Sequence, residues 1–277
     1  MEHEQRCLLG VFAHPDDEAT LAGPMRRYHD QGVRTALICA TRGEEGEISD
    51  PALATRETLG RVREQELREA ARIIPIDDLT FLDYHDGHLA DADPGEATGR
   101  IVRQIRRLRP QVIVTFDTNG GYGHRDHIAI HHLTLAAFRQ AGDARAYPEQ
   151  RDEGLRPYQP RKLYYVAFPR SLMRRMMERV LAAQPTRQLF GSVATIPPEE
   201  MGTEDERITT AIPLDDGLYA VRDAALQAHR TQMNPNGPFA NVPPDVMRQI
   251  WGTAYFVRAI PAPGPGDALE DDLFAGL

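Results

Sequence analysis

The sequence predicts an α/β protein with a Rossmann-like, mostly parallel sheet that is covered by helices on both faces. Two observations support this prediction. Short apolar runs alternate with helical patterns through the first half of the chain. The runs are continuously apolar rather than alternating, which is typical of strands buried on both sides of a parallel sheet.

The predicted strands are short runs rich in Val, Ile, Leu and aromatic residues, bounded by polar, Gly or Pro segments. In chain order they cover residues 7–13, 33–40, 79–82, 112–116, 162–167, 207–212 and 251–260.

The predicted helices carry apolar residues at helical spacing. The second one, for example, has Leu59, Val62 and Leu67 on its apolar face and stops at Pro75. In chain order the helices cover residues 17–32, 57–74, 96–108, 126–141, 171–183 and 218–232. Polar, Pro-rich or Gly-rich loops are expected at 41–55, 84–95, 143–160, 196–206 and 233–244, the last of which is a candidate lid.

Composition excludes several classes of protein. The chain has 277 residues, 41% of them apolar and 26% charged, which is typical of a globular protein with a large core. A net charge of -9 argues against nucleic acid or an anionic membrane as the main partner. No apolar run approaches the ~20 residues of a membrane span, and no signal segment is recognised, so we expect a cytoplasmic protein. Cys7 and Cys39 lie in apolar runs and are expected in the core.

No domain boundary is evident, and we expect one domain over residues 1–277. Its core, residues 1–142, carries two polar motifs. Residues 143–260 are expected to add the substrate side, and the Pro/Gly-rich, then acidic tail at 261–277 is expected to be mobile.

The first motif follows the first predicted strand. His14, Asp16, Asp17 and Glu18 put one imidazole and three carboxylates within five residues. A bound cation would offset this charge density, and the donors suit zinc or a similar divalent ion. The alternative is an ordinary helix start, with Pro15 and acidic residues in the first turn.

The second motif, with His124, Asp126 and His127, follows the predicted strand at 112–116. Because parallel strands end at one edge of a sheet, the two motifs can meet there. Two histidines and a carboxylate with an open position are the composition of a hydrolytic zinc site.

The segments AHPDDE at 13–18 and GYGHRDH at 121–127 resemble the PIG-L/LmbE-like zinc deacetylases. This family includes enzymes that de-N-acetylate glucosaminyl-inositol and glucosaminyl-malate in mycothiol and bacillithiol synthesis, and the mycothiol-conjugate amidases. The resemblance also covers residues 41–47, 62–67 and 162–165, and more weakly 228–232. Arg125 departs from the family pattern, which usually has Pro there.

The resemblance implies that His14, Asp17 and His127 hold zinc or ferrous iron. It implies that Asp16 is the general base that takes a proton from the attacking water. The alternative role for Asp16 is a cap of the following turn.

The resemblance gives three further residues of the second motif a role in catalysis. His124 would stabilise the oxyanion or donate to the leaving amine. Asp126 would orient a histidine, and its alternative is a helix N-cap. Tyr122, between Gly121 and Gly123, would hydrogen-bond the carbonyl oxygen, and its alternative is a rim aromatic.

Glu47, Arg63 and Asp86 match family positions that contact sugar hydroxyls, and surface charge is the alternative for all three. The remaining histidines are not assigned to catalysis. His131 and His132 are expected on a helix face, and His229 is expected to pack near the site.

The expected activity is removal of an N-acetyl group from a small N-acetylglucosamine compound of the inositol or malate type. An amidase acting on a mycothiol- or bacillithiol-type thiol conjugate is the alternative within the family. A non-catalytic sugar-binding module would lack the base or a ligand, and a metal phosphoesterase would carry more cationic clamps. The sequence has no Gly-x-Ser-x-Gly elbow of a serine hydrolase. It leaves open whether a homo-oligomer forms and completes the pocket.

Overall fold

A seven-stranded sheet is the frame of the computed structural model, which describes residues 5–183, 201–234 and 242–277. The strand order is β3-β2-β1-β4-β5-β7-β6. The first five strands are mutually parallel, whereas β7 is antiparallel to both β5 and β6. This confirms the predicted mostly parallel sheet. The strands are β1 (Cys7–Phe12), β2 (Arg34–Cys39), β3 (Asp78–Phe81), β4 (Val112–Thr115), β5 (Lys162–Ala167), β6 (Thr210–Pro213) and β7 (Thr253–Ile260).

The longer helices of the first half connect successive parallel strands. One group consists of α1 and α2, each of which packs on α8, and a second pair consists of α3 and α5. Right-handed crossovers produce such groups on opposite faces of a parallel sheet. The helices are α1 (Ala22–Asp30), α2 (Leu59–Ile73), α3 (Pro94–Leu108), α4 (Gly120–Gly123), α5 (Arg125–Gln140), α6 (Glu149–Asp152), α7 (Arg170–Ala183), α8 (Asp216–Ala228) and α9 (Pro244–Trp251).

The centre of the sheet is formed by β1 and β4, and every residue of both strands is buried. Their register pairs Leu8 with Val112 and Gly10 with Val114. The strands that follow β1 and β4 in the chain are added on opposite sides of this pair. β2 and β3 lie beyond β1, and β5 lies beyond β4. Such a switch point leaves a crevice at the carboxyl ends of the strands, where both polar motifs are located.

The helix predicted at 17–32 is in fact two elements. A 3-10 turn at Asp17–Thr20 precedes α1, which begins at Ala22. Pro24 explains the late start, because it has no N–H and therefore fits only the first turn of an α-helix. The short polar turn is thereby separated from the helix and lies at the end of β1.

Other boundaries differ in the second half of the chain. The helix predicted at 218–232 ends at Ala228, and α9 was not predicted at all. The strand predicted at 207–212 is observed as β6, which begins three residues later and ends one residue later. Of the predicted loops, residues 196–200 and 235–241 lie outside the described residues. Within the described part of the chain, no helix combines the length and apolarity needed to cross a bilayer.

The prediction of a mobile tail is wrong for the end of the chain. Leu273 and Phe274 are buried in the main core. The hydroxyl of Tyr28 accepts a hydrogen bond from the Leu273 amide at 2.7 Å. Glu270 extends the sheet edge by donating its amide to Thr209 O at 2.8 Å. Acidic residues around this short apolar segment hid its packing role in the sequence.

Candidate active site

The first motif is positioned by the end of β1. Beyond the strand, Ala13 continues the pairing with β2, because its carbonyl accepts hydrogen bonds from the amide and the hydroxyl of Thr41 at 2.9 Å each. His14 and Asp17 follow directly and are both buried. The carboxylate oxygen Oδ2 of Asp17 accepts the amides of Ala13 and His14, at 3.1 and 2.8 Å. Asp17 is therefore fixed against the strand end, with its second oxygen available.

Three ligand-type groups of the two motifs meet in the crevice. His14 Nδ1 lies 3.0 Å from His127 Nε2 and 3.8 Å from Asp17 Oδ2. His127 Nε2 lies 3.4 Å from Asp17 Oδ1. Ligands of a tetrahedral zinc ion with bonds of about 2.0–2.1 Å lie roughly 3.3 Å apart. The separations and the donor types therefore fit a zinc-sized divalent cation.

The other ring nitrogen of His14 faces two carboxylates. Its Nε2 lies 2.9 Å from Asp86 and 3.4 Å from Asp126. Burial acts to lower the pKa of His14, but the contacts with Asp126 and Asp86 outweigh burial and raise it. A carboxylate on the far nitrogen of a histidine is the usual support of a metal ligand, because it fixes the tautomer and the ring orientation.

Two alternative groupings of possible ligands include His14. In one, nitrogens of His124 and His127 lie within 4.8 Å of its ring nitrogen, and in the other Asp86 and Asp126 do so. His124 is a poorer ligand than Asp17, because its Nδ1 already accepts the Asp126 amide at 3.1 Å. The Asp86 grouping involves the nitrogen of His14 that faces away from His127. The donor atoms of His14, Asp17 and His127 therefore fit a metal ion better than either of these groupings.

His127 is held on both sides. Its Nδ1 lies 3.0 Å from Gly120 O, so Nδ1 donates and Nε2 is left with a free lone pair. Its ring stacks on Phe116, at 4.0 Å between centroids and 6° between planes. Burial, followed by the nearby His14, places the pKa of His127 well below its usual range. His127 is thus neutral, as a metal ligand must be.

Asp16 has an unusual backbone conformation, with φ 106° and ψ -23°. Non-glycine residues rarely adopt positive φ, and such strain is concentrated at functional sites. Its side chain makes no capping hydrogen bond, which removes the alternative of a helix cap. Instead, its Oδ2 lies 3.0 Å from Nη2 of Arg63. The same guanidinium donates to Pro15 O and Gly43 O, so Arg63 ties this loop together.

Glu18 and His229 form a buried pair that sequence reasoning did not identify. His229 Nε2 lies 2.6 Å from Glu18 Oε1, and both side chains are almost fully buried. Glu18 Oε2 accepts the amide of Asp16 at 2.9 Å. The pair thus holds the backbone of Asp16 in place. The signal in the sequence was the acidic residue next to the ligand motif, but its partner lies 211 residues away.

His124 and Tyr122 line the second side of the crevice. His124 is the N-cap of α5, and because its Nδ1 accepts a hydrogen bond, its Nε2 carries the proton. Burial and the nearby His14 lower the pKa of His124. The Tyr122 ring lies 5.0 Å from that of His127. Burial, then the charges of Asp17 and Asp16, raises the pKa of Tyr122, so its phenol remains a donor.

Asp126 is not a helix N-cap, although that was the alternative to its predicted role. It lies in the first turn of α5 and is fully buried. Its carboxylate accepts the amides of Gly87 and Leu89, at 2.6 and 3.2 Å. It therefore links the loop that carries Asp86 to the second motif.

The predicted sugar-contacting residues are not all together. Arg63 and Asp86 are buried, whereas Glu47 is exposed on the loop after β2. Arg125 lies on the rim, where it pairs with Asp91 at 2.6 Å. Among the unassigned histidines, His131 is buried on α5 with Nδ1 3.0 Å from Phe116 O.

The chain is similar to known proteins over nearly its whole length. A family model described as "PIG-L: GlcNAc-PI de-N-acetylase" matches residues 9–138. A mycothiol S-conjugate amidase from Streptomyces coelicolor is 35% identical, over 99% of this chain and 98% of its own length. The chain belongs to the PIG-L family. The matched segment contains all three ligand candidates, whereas His229 lies beyond it.

Other PIG-L relatives cover the whole chain. A 1D-myo-inositol 2-acetamido-2-deoxy-alpha-D-glucopyranoside deacetylase from Thermobifida fusca is 38% identical, over 98% of this chain and 99% of its own length. The solved N,N'-diacetylchitobiose deacetylase from Pyrococcus horikoshii superimposes with a TM-score of 0.67 at 17% identity. The superposition covers 92% of this chain and 84% of the Pyrococcus horikoshii chain, and it supports the fold.

Proposed function

We propose that this PIG-L protein is a zinc-dependent hydrolase. It would remove the N-acetyl group from a small N-acetylglucosamine compound with an inositol or malate aglycone, in the cytoplasm. The observation that carries the proposal is the cluster of His14 Nδ1, His127 Nε2 and Asp17, separated by 3.0–3.8 Å next to the carboxylate of Asp16. The identity to the named deacetylases supports the substrate class.

His14, Asp17 and His127 would hold the metal ion. The one reason to favour zinc over ferrous iron for this donor set is that zinc prefers four ligands. A bound zinc ion would supply a Lewis acid that acidifies water and polarises the amide carbonyl. Asp86 and Asp126 would keep His14 in the tautomer with the proton on Nε2. The buried carboxylates of Asp17, Asp86 and Asp126 also favour binding of a cation, since buried charges are stable only when they are paired.

Asp16 would take the proton from the attacking water at its carboxylate. Its side chain is 29% exposed, so it can reach a substrate-bound water, and Arg63 fixes its orientation. A positioned general base contributes typically about 10²–10⁴-fold to the rate.

His124 and Tyr122 would act on the developing tetrahedral centre. The hydrogen on His124 Nε2 can donate a hydrogen bond to the oxyanion, and the proton that Asp16 takes from the water can pass to the departing amine. The neutral Tyr122 phenol can donate a hydrogen bond to the former carbonyl oxygen. Donors already aimed at the site need no reorganisation when the negative charge forms.

The proposal for the sugar contacts rests on Glu47, whose exposed carboxylate can accept hydroxyl protons. Arg63 and Asp86 use their polar atoms mainly on Asp16, the loop backbone and His14. We propose that they position these groups, and their predicted contact with sugar hydroxyls stays a prediction.

An amidase acting on a thiol conjugate is the second candidate. It is supported by the 35% identity to a mycothiol S-conjugate amidase over nearly the full length of both chains. Both reactions hydrolyse an amide bond and would use the same groups. They differ in the acyl group that the pocket must admit.

The test is amine release from N-acetylglucosamine, from its inositol and malate glycosides and from a thiol conjugate, by metal-stripped protein with and without zinc. We expect zinc-dependent release, and the preferred compound separates the two candidates. Asp16→Asn should lower kcat by about 10²–10⁴-fold with an unchanged zinc content. Asp50→Asn, on the exposed loop after β2, is the control. Full activity of Asp16→Asn would refute the assigned base.

A further inference from the structure

A buried arginine lies behind the candidate metal site, on the helix α8. Arg222 is only 4% exposed. Among the described residues, its Nε and Nη1 have no hydrogen-bond partner, and no carboxylate forms an ion pair with it. A buried charge without a partner is costly, and proteins normally pair it. The described residues therefore leave two nitrogens of this guanidinium without an acceptor.

Arg222 lines a cavity of about 20 Å³. The wall opposite includes Trp251 at the end of α9, whose ring centroid lies 4.2 Å from the guanidinium carbon. The indole Nε1 of Trp251 is also buried without a partner. Three unpaired N–H donors thus belong to two side chains of one small cavity. Thr20, the last residue of the turn that carries Asp17, lines it as well.

The cavity has the size of a single small species. A volume of roughly 10–15 Å³ is enough for one water molecule, so about 20 Å³ admits a small species. Burial lowers the pKa of Arg222 to about 10, which still leaves the guanidinium charged at neutral pH. A water molecule could accept hydrogen bonds from these donors but would leave the charge uncompensated. A monatomic anion would do both.

We propose that the cavity between Arg222, Trp251 and Thr20 binds a halide ion, with chloride as the natural occupant. The ion would accept hydrogen bonds from the guanidinium and the indole. It would join α8 and α9 to the back of the turn that begins at Asp17, and so stabilise the wall behind the metal ligands. This proposal does not depend on the substrate or on the reaction.

The direct test is a crystal structure of the wild-type protein grown or soaked in bromide, with anomalous data collected at the bromine edge. We expect an anomalous peak within hydrogen-bond distance of Arg222 Nε or Nη1 and Trp251 Nε1. An empty cavity, or a water molecule without anomalous signal at that position, would overturn the proposal.

A second test measures thermal unfolding in sodium chloride against sodium gluconate at equal ionic strength. We expect chloride to raise the Tm of the wild type by about 2–4 °C at roughly ten times its dissociation constant. Arg222→Met should abolish this difference, and Arg145→Met, at a fully exposed arginine, should retain it. Trp251→Phe, which removes only one donor, serves if Arg222→Met does not fold. A chloride effect of equal size in all variants would contradict a site at Arg222.

Discussion

His14 presents its two ring nitrogens to two different environments. Nδ1 faces His127 and Asp17, whereas Nε2 faces Asp86 and Asp126. A histidine whose far nitrogen donates to a carboxylate is a stronger and better oriented ligand. The carboxylates of two separate loops thus contact the candidate metal site through one imidazole.

The Glu18–His229 pair gives a prediction at this scale. His229→Phe removes the only described donor to Glu18 Oε1, so a buried carboxylate loses its partner. We expect the free energy of unfolding to fall by roughly 3–5 kcal/mol. We also expect kcat to fall more than KM changes, because Glu18 holds the amide of Asp16. Denaturant titration, steady-state kinetics and zinc content measure these effects.

His229→Gln keeps a donor near Glu18 and should recover most of the lost kcat. His132→Phe, at an exposed histidine on α5, is the control and should behave as wild type. If the Gln and Phe variants at position 229 lower kcat equally, the pair does not position Asp16.

The sequence predicted the three ligand candidates and Asp126 as a group that orients a histidine, but it did not reveal the groups that position Asp16. The ligand residues are concentrated in two short motifs, each at the end of a predicted strand. The partners of Asp16 and Glu18 lie 47 and 211 residues away in the chain. No local pattern marks such pairs, since Arg63 lies on a helix where most neighbouring charges are solvent-exposed. Only the fold brings them to the first motif.

The short helix α4 explains how one element positions a ligand. Gly120 has φ 61°, and its carbonyl accepts the Nδ1 hydrogen of His127. A Cβ at Gly120 would lie 2.6 Å from the Cβ of His127, whereas a Cβ at Gly121 would meet nothing within 4 Å. Both glycines have positive φ, so a Cβ is strained at either position, but only at Gly120 would it also meet His127.

We therefore expect Gly120→Ala to lower zinc affinity by about 10–100-fold, as loss of a supporting contact does. Gly121→Ala carries a similar backbone strain and should lose stability by roughly 1–2 kcal/mol with nearly unchanged zinc affinity. Competition with a chelator measures the affinity. Equal loss of affinity in both variants would show that backbone strain, and not the collision with His127, is responsible.

Element prediction succeeded where one physical signal dominated. The parallel strands are continuous apolar runs, and β5 was predicted with its observed bounds. The helix α9 was not predicted, because its eight residues from Pro244 give too short an apolar pattern beside a Pro-rich loop. The 3-10 turn at Asp17–Thr20 was predicted as part of a helix, because acidic residues are common in the first turn of a helix. Here these acidic residues belong to the candidate site.

At the scale of the whole molecule, residues near the end of the chain form part of the main hydrophobic core. Phe274→Ala should lower the free energy of unfolding by about 3–5 kcal/mol, because its ring is buried against Tyr28. Leu269→Ala, at a residue that is 60% exposed, should change it by less than about 0.5 kcal/mol. Urea titration of both variants is the measurement. Equal and small effects would restore the idea of a detached tail.

The backbone of Asp16 has a consequence for how such a protein changes over time. A conformation at φ 106° costs a non-glycine residue of order 1–3 kcal/mol, and glycine would adopt it freely. Selection for thermal resistance alone would thus favour replacing the aspartate, at the expense of turnover. Lineages that lose the reaction, or libraries screened only for heat tolerance, are expected to lose this carboxylate early.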